Sequence, residues 1–129
     1  MKRSLLVMVL LMAVLAMTAS PASAAVSALE FEDGSCGGPC VGGTVVSMEG
    51  TITCTAGQEY FIRASGQQNG KTFAVGRASG VCTGSSQIWE TNRVDNPGTL
   101  QCGSFVGRAQ ARTATGKRFD STPFGDLCF

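Results

Sequence analysis

The chain has 129 residues, with 10 Lys+Arg, 9 Asp+Glu, 17 Gly, 6 Cys and no His. This length fits one domain, and the lack of histidine excludes Ser-His-Asp and Cys-His catalysis together with every imidazole-ligated metal site. A formal net charge of +1 argues against a dedicated nucleic-acid binder, which needs a clustered basic surface.

The first segment reads as an export signal. Lys2 and Arg3 supply a positive start, residues 5–17 are an almost unbroken apolar run, and Pro21 breaks any helix. Ala22-Ser23-Ala24 then has the small-x-small form that a signal peptidase accepts. The apolar run is shorter than the ~20 residues that cross a bilayer as a helix, so residues 1–24 are expected to be a signal peptide, not a membrane anchor. No cysteine follows the cut directly and residues 124–129 form no hydrophobic tail. The expected product is a free, secreted monomer without membrane association. Removing Lys2 and Arg3 leaves 8 basic against 9 acidic side chains, a balance expected to steer neither polyanions nor polycations.

Residues 25–43 read as an irregular leader. Glu30, Glu32 and Asp33 tip a short stretch, and Gly34-Ser35-Cys36-Gly37-Gly38-Pro39-Cys40-Val41-Gly42-Gly43 is almost all turn chemistry. Those carboxylates are the residue type that holds calcium, but a solvated, solubilising leader is the simpler reading. Regular structure is expected from Thr44 onward. Residues 44–48 and 51–55 are β-branched runs around Glu49-Gly50, which suits a tight hairpin turn.

Residues 58–65 alternate, with Tyr60, Ile62 and Ala64 on one face and Phe61, Arg63 and Ser65 on the other. Residues 71–77 alternate again, Phe73 and Val75 against Thr72 and Ala74. Further strands are expected over 86–94, which holds the single Trp, over 104–113 and over 118–128. Turn signals stand at Thr55-Ala56-Gly57, Gln67-Gln68-Asn69-Gly70, Thr83-Gly84-Ser85-Ser86, Asp95-Asn96-Pro97-Gly98 and Ala114-Thr115-Gly116. About seven short strands at this spacing, with no apolar stripe of helical period, predict an all-β antiparallel sandwich over residues 44–129. Within residues 105–113, Phe105, Gly107, Ala109 and Ala111 point one way and Val106, Arg108, Gln110 and Arg112 the other. The inner face is small, so a bulky neighbour, with Trp89 the candidate, is expected to fill the space opposite.

Cys36, Cys40, Cys54, Cys82, Cys102 and Cys128 all follow the cut, and an even number in a small exported domain reads as a disulfide framework. A zinc site would need four thiolates, and the spacing offers no C-x-x-C knuckle. A hairpin of 104–113 with 117–127 about Thr115 places Cys102 and Cys128 at equal distance on either side, closing its open end, with Pro123 requiring an edge position or a bulge. Cys36 and Cys40 can meet across the short turn between them, which leaves Cys54 with Cys82. The rival arrangement swaps partners between the N-terminal pair and Cys102/Cys128. Chain entropy gives each long loop roughly 3.5 kcal/mol and the short one roughly 2 kcal/mol, so reduction should come close to unfolding the domain.

Candidate chemistry is sparse. Glu49, Glu59, Glu90 and Asp120 are scattered singly, without the facing pair that carboxylate hydrolysis needs, and Asp95-Asn96 is ordinary turn chemistry. Lys71 and Lys117 stand beside turn glycines, where amines stay solvated, and oxidised cysteines offer no thiolate. No catalytic residue, cofactor or metal is expected. Arg108, Arg112, Lys117 and Arg118 form the one basic concentration, and with Gln110 they make a polar outer face. Such a face suits an acidic cell-wall polymer or an extracellular protein. The plainer alternative is a solvated strand face that discourages edge pairing.

Gly50-Thr51-Ile52-Thr53-Cys54-Thr55-Ala56-Gly57, Val81-Cys82-Thr83-Gly84 and Gln87-Ile88-Trp89 resemble a group of small secreted actinobacterial proteins of unknown function, over about residues 44–113. The resemblance implies an immunoglobulin-like sandwich and a Cys54–Cys82 bridge, and it carries no catalytic residue. The outer two cysteine pairs have no counterpart in it. The expected function is a secreted, non-enzymatic binding or structural domain. An inhibitor of an extracellular hydrolase, presenting Gln67-Gln68-Asn69-Gly70 or Asp95-Asn96-Pro97-Gly98, is the first alternative. A carrier of a small apolar ligand beside Gly107, Ala109 and Ala111 is the second.

Overall fold

A computed structural model describes residues 25–38, 42–95, 99–101 and 105–126. The expected signal peptide over residues 1–24 lies outside the described residues. So do Cys40, Cys102 and Cys128, and with them the expected Cys36–Cys40 and Cys102–Cys128 pairings.

The described chain forms nine strands: β1 (Val26–Gly37), β2 (Thr44–Cys54), β3 (Glu59–Gln68), β4 (Lys71–Val81), β5 (Gln87–Glu90), β6 (Arg93–Asp95), β7 (Phe105–Thr113), β8 (Phe119–Asp120) and β9 (Phe124–Asp126). They build two antiparallel sheets. The smaller has the order β1-β2-β5, and the larger has the order β6-β4-β3-β7-β8 with β9 also on β7. With β1, β2 and β5 as strands A, B and E and β4, β3, β7 and β8/β9 as C′, C, F and G, this is the partition of an immunoglobulin-like sandwich. The Cys54–Cys82 disulfide, with Cα atoms 5.4 Å apart, ties the end of β2 in one sheet to the residue after β4 in the other.

Alternation explains most of this. Along β7 every second residue from Phe105 to Thr113 is buried, and β3 buries Tyr60, Ile62 and Ala64 while Phe61 and Arg63 face outward. The β3–β4 hairpin closes at Asn69 (φ 52°) and Gly70 (φ 73°), the pair of left-handed residues that a tight mirror-image turn demands. Between the sheets Trp89, Phe105, Met48, Ile52, Leu100 and Val45 are fully buried. The space opposite the small face of β7 is shared. Phe31 occupies the position a Gly107 side chain would need, and its ring meets Trp89 edge-on with centroids 6.0 Å apart.

Four features differ from the sequence expectation. Residues 26–37 are not irregular but form β1, paired along the length of β2. Leu29 and Phe31 are inward, and register shifts at Val26/Ala28, Phe31/Asp33 and Ser35/Cys36 absorb the odd residues. Glu49-Gly50 is no turn, since β2 runs straight through it. Gly50 is in register with Phe31 on one side and Trp89 on the other, and a Cβ there would strike the Glu30 carbonyl and Trp89 Cζ2. The glycine serves close approach within a strand.

Residues 86–94 split between the sheets. Thr91 accepts from the Met48 N–H at 2.9 Å and returns its own N–H to the Met48 carbonyl at 2.9 Å, while Asn92 N–H donates to the Arg77 carbonyl at 3.4 Å. That crossing hands the chain from β2 to β4. The 118–128 run splits into β8 and β9 at Ser121-Thr122-Pro123. Gln110 faces Asp120 and Ala111 faces Phe119, as the hairpin about Thr115 predicts, but beyond Pro123 the pairing slips by one residue, to Gly107 opposite Phe124. The Ala109 N–H there donates to Ser121 Oγ at 2.9 Å.

Candidate functional site

The outward positions of the larger sheet gather side chains from five strands. Arg93, Arg77, Arg63, Gln110 and Asp120 stand in one cross-strand row, each in register with the next. In the adjoining row Phe61 faces Arg112 and Ser79, and on the other side Ser65 faces Arg108 and Val75. Arg118 enters from the turn before β8. Period-two alternation puts all of these on the solvent side of the sheet, and the strand order brings them together.

Like charges directly opposite each other destabilise a sheet, and Arg93–Arg77–Arg63 is three in a row. Asp95 offsets part of this, taking Arg77 and Arg93 at 3.1 Å each. Asp120 takes Arg118 at 3.3 Å. These pairs are exposed, and exposed pairs contribute roughly 0–1 kcal/mol. Among the described residues no carboxylate is ion-paired to Arg63, Arg108 or Arg112. Arg112 instead lies over the Phe61 ring, 5.7 Å from its centroid, a contact worth about 0.5–1 kcal/mol at an exposed site. Two shallow grooves flank Phe61. One, of about 440 Å³, is bordered by Arg77, Arg93 and Asp95. The other, of about 370 Å³, is bordered by Arg63, Arg77, Arg112 and Arg118.

The residues of the expected binding face therefore lie on one side of the molecule. Arg108, Gln110 and Arg112 project from β7, and exposed Lys117 and Arg118 follow in the β7–β8 turn. Sequence reasoning missed Arg63, Arg77 and Arg93. Alternation already set Arg63 outward, but its meeting with Arg77 and Gln110 depends on which strands pair. The carboxylates also differ from expectation. Glu49 and Glu90 are not isolated but face each other, with Asp33 in the same row on the other side of Glu49. This row lies on the outer face of the smaller sheet. Among the described residues no group of His, Cys, Asp and Glu is arranged to hold a metal ion.

Of the two loops expected to suit an inhibitor, one is described. Gln67-Gln68-Asn69-Gly70 is the tight β3–β4 turn, and Gln68 is clamped to Gln101 by Nε2 to the carbonyl at 2.6 Å and by the Gln101 N–H to Oε1 at 3.2 Å. Asn96-Pro97-Gly98 lies outside the described residues. Comparison with known protein families, with curated proteins and with solved structures finds no significant match to this chain. The fold and this face are thus the ground for a functional reading: an immunoglobulin-like sandwich with an open arginine lattice on one sheet.

Proposed function

We propose that this chain is a secreted, non-enzymatic binding domain that holds an acidic polymer of the cell surface on the outer face of its larger sheet. One observation carries the reading: Arg63, Arg77, Arg93, Arg108, Arg112 and Arg118 share a single face with, among the described residues, only Asp95 and Asp120 as ion-pair partners. A like-charged lattice is disfavoured for stability alone, and departures of that kind cluster where a protein binds something. Sheet neighbours lie about 4.8 Å apart across strands and about 6.7 Å apart along them. That flat, repeating spacing suits an extended chain of anionic groups. Guanidinium forks bind carboxylates and phosphates two-pronged, and Phe61 with Arg112 offers a planar apolar seat between them. The expected export signal and the Cys54–Cys82 bridge support an oxidising location outside the cytoplasm.

The test is retention of the disulfide-bonded chain, from residue 25 onward, on purified cell walls and on an immobilised polyanion. Retention should fall steeply with salt, as counterion release requires. Arg63→Gln with Arg112→Gln should weaken it about tenfold, with Ser35→Ala, exposed on the other sheet, as a surface control that leaves it unchanged. Retention indifferent to salt and to the arginine pair would overturn the reading.

A further inference from the structure

The two outer faces carry opposite charge almost completely. β1, β2 and β5 contain Glu30, Glu32, Asp33, Glu49 and Glu90 and no Lys or Arg. Every basic residue after Arg3 belongs to β3, β4, β6, β7 or the β7–β8 turn. By sequence the larger sheet and its turns hold eight bases against Glu59, Asp95, Asp120 and Asp126. A chain that is nearly neutral overall is thus strongly negative on one side and strongly positive on the other.

Each face also has an apolar anchor among its charges. Ile88, 72% exposed, stands in the row of Thr51 and Glu30, next to the Asp33–Glu49–Glu90 row. Phe61, 38% exposed, stands among the arginines under Arg112. The acidic row repeats across the smaller sheet what the arginine row does across the larger one, with the same cross-strand spacing because both are set by strand pairing.

We infer that the acidic face of one copy docks on the arginine face of another. The two faces lie back to back on one sandwich, so the contact is head-to-tail. It cannot close as a two-fold dimer and grows as a stack. Strands of 12, 11 and 4 residues present at most roughly 430 Å², below the ~800 Å² per partner of a stable interface. The association is therefore weak, charge-driven and dependent on ionic strength, and the monomer expected from the sequence is the high-salt state. It uses the arginine face of the proposed function but does not depend on an external polymer, and substitutions on the acidic face separate the two.

The experiment is the weight-average mass of the disulfide-bonded chain from residue 25, followed by sedimentation and light scattering up to about millimolar protein. At about 0.01 M ionic strength, where charges act over ~30 Å, the mass should rise at least twofold with concentration; at about 1 M salt, where they act over ~3 Å, it should return to one copy. Glu49→Lys with Glu90→Lys should remain a single copy without losing retention on polyanion, since its arginine face is intact. Arg63→Glu with Arg112→Glu should also remain single. Mixing these two folded variants should at least double the mass of either alone, since the arginine face of the first meets the acidic face of the second. The milder Glu49→Gln with Glu90→Gln should weaken stacking in the same direction. A single-copy mass at low salt throughout, growth that ignores salt, or a mixture that stays single would overturn the inference.

Discussion

Gly50 shows how one residue decides between two local structures. A glycine between β-branched runs resembles a hairpin turn, and nothing nearer than Trp89 and Glu30 contradicts that. Both contacts are distant in sequence, so only the packed sheet reveals that the missing Cβ leaves room for a ring and a neighbouring strand. Tyr60 is the converse case. Its inward position was legible from alternation, and its chemistry follows from burial. At 5% exposure the phenol is raised above its ordinary 10.0 by desolvation. Below pH 10 the phenol is neutral in both folded and unfolded chains, so this contribution is intact. As pH rises further the unfolded chain ionises first, and stability is lost at up to about 1.4 kcal/mol per pH unit until the folded pKa is reached. Urea midpoints measured from pH 8 upward should fall above pH 10, and Tyr60→Phe should remove that part of the fall. Because Tyr60 is the single tyrosine, tyrosinate absorbance reports the shift directly, and a native titration at the ordinary value would contradict it.

At the scale of elements, the strands that alternate cleanly were legible and the ones that borrow residues from bulges were not. β3 and β7 have uninterrupted period two. β1 carries three register shifts, so its buried Val26 and Gly34 fall on the opposite parity from its buried Leu29 and Phe31, and its glycines resemble turn chemistry. The sheet switch at Thr91 was hidden for another reason: residues 86–94 read as one strand, and a single run does not say which sheet each half joins. The staple between the sheets is the element whose worth is most easily measured. Cys54 and Cys82 are separated by 28 residues, and closing a loop of that size contributes about 3.5 kcal/mol by chain entropy. Cys82 is also held by the backbone, with its N–H donating to the Gln58 carbonyl at 2.7 Å and its carbonyl accepting from Gly57 at 2.8 Å, so the turn keeps its shape without the bond. Cys54→Ala with Cys82→Ala should therefore fold to the same sandwich with a thermal midpoint lower by roughly 15 °C. A midpoint within a few degrees of the parent would show that the sheets need no staple.

Over the whole molecule, the charge count conceals what the topology does with it. A net charge near zero led to the expectation of a surface that steers nothing, because composition averages over faces. Charge steering acts locally, and strand order sends the acids of residues 30–49 and Glu90 to one sheet and the arginines to the other. Sheets pack about 10 Å apart, so outward charges on opposite faces lie roughly 20 Å from each other. At 0.15 M ionic strength interactions are screened over about 8 Å, and each face then acts as though the other were absent. The chain should consequently be retained at neutral pH by both a cation exchanger and an anion exchanger, which a protein of this net charge with evenly mixed charges would not be. Arg63→Gln with Arg112→Gln should lose retention on the cation exchanger alone, and Glu49→Gln with Glu90→Gln on the anion exchanger alone. Elution from both well below 1 M salt is expected, since screening to about 3 Å removes each face's field. Retention on neither resin at low salt would mean that the opposite faces cancel, and the reading of two independent charged surfaces would fall.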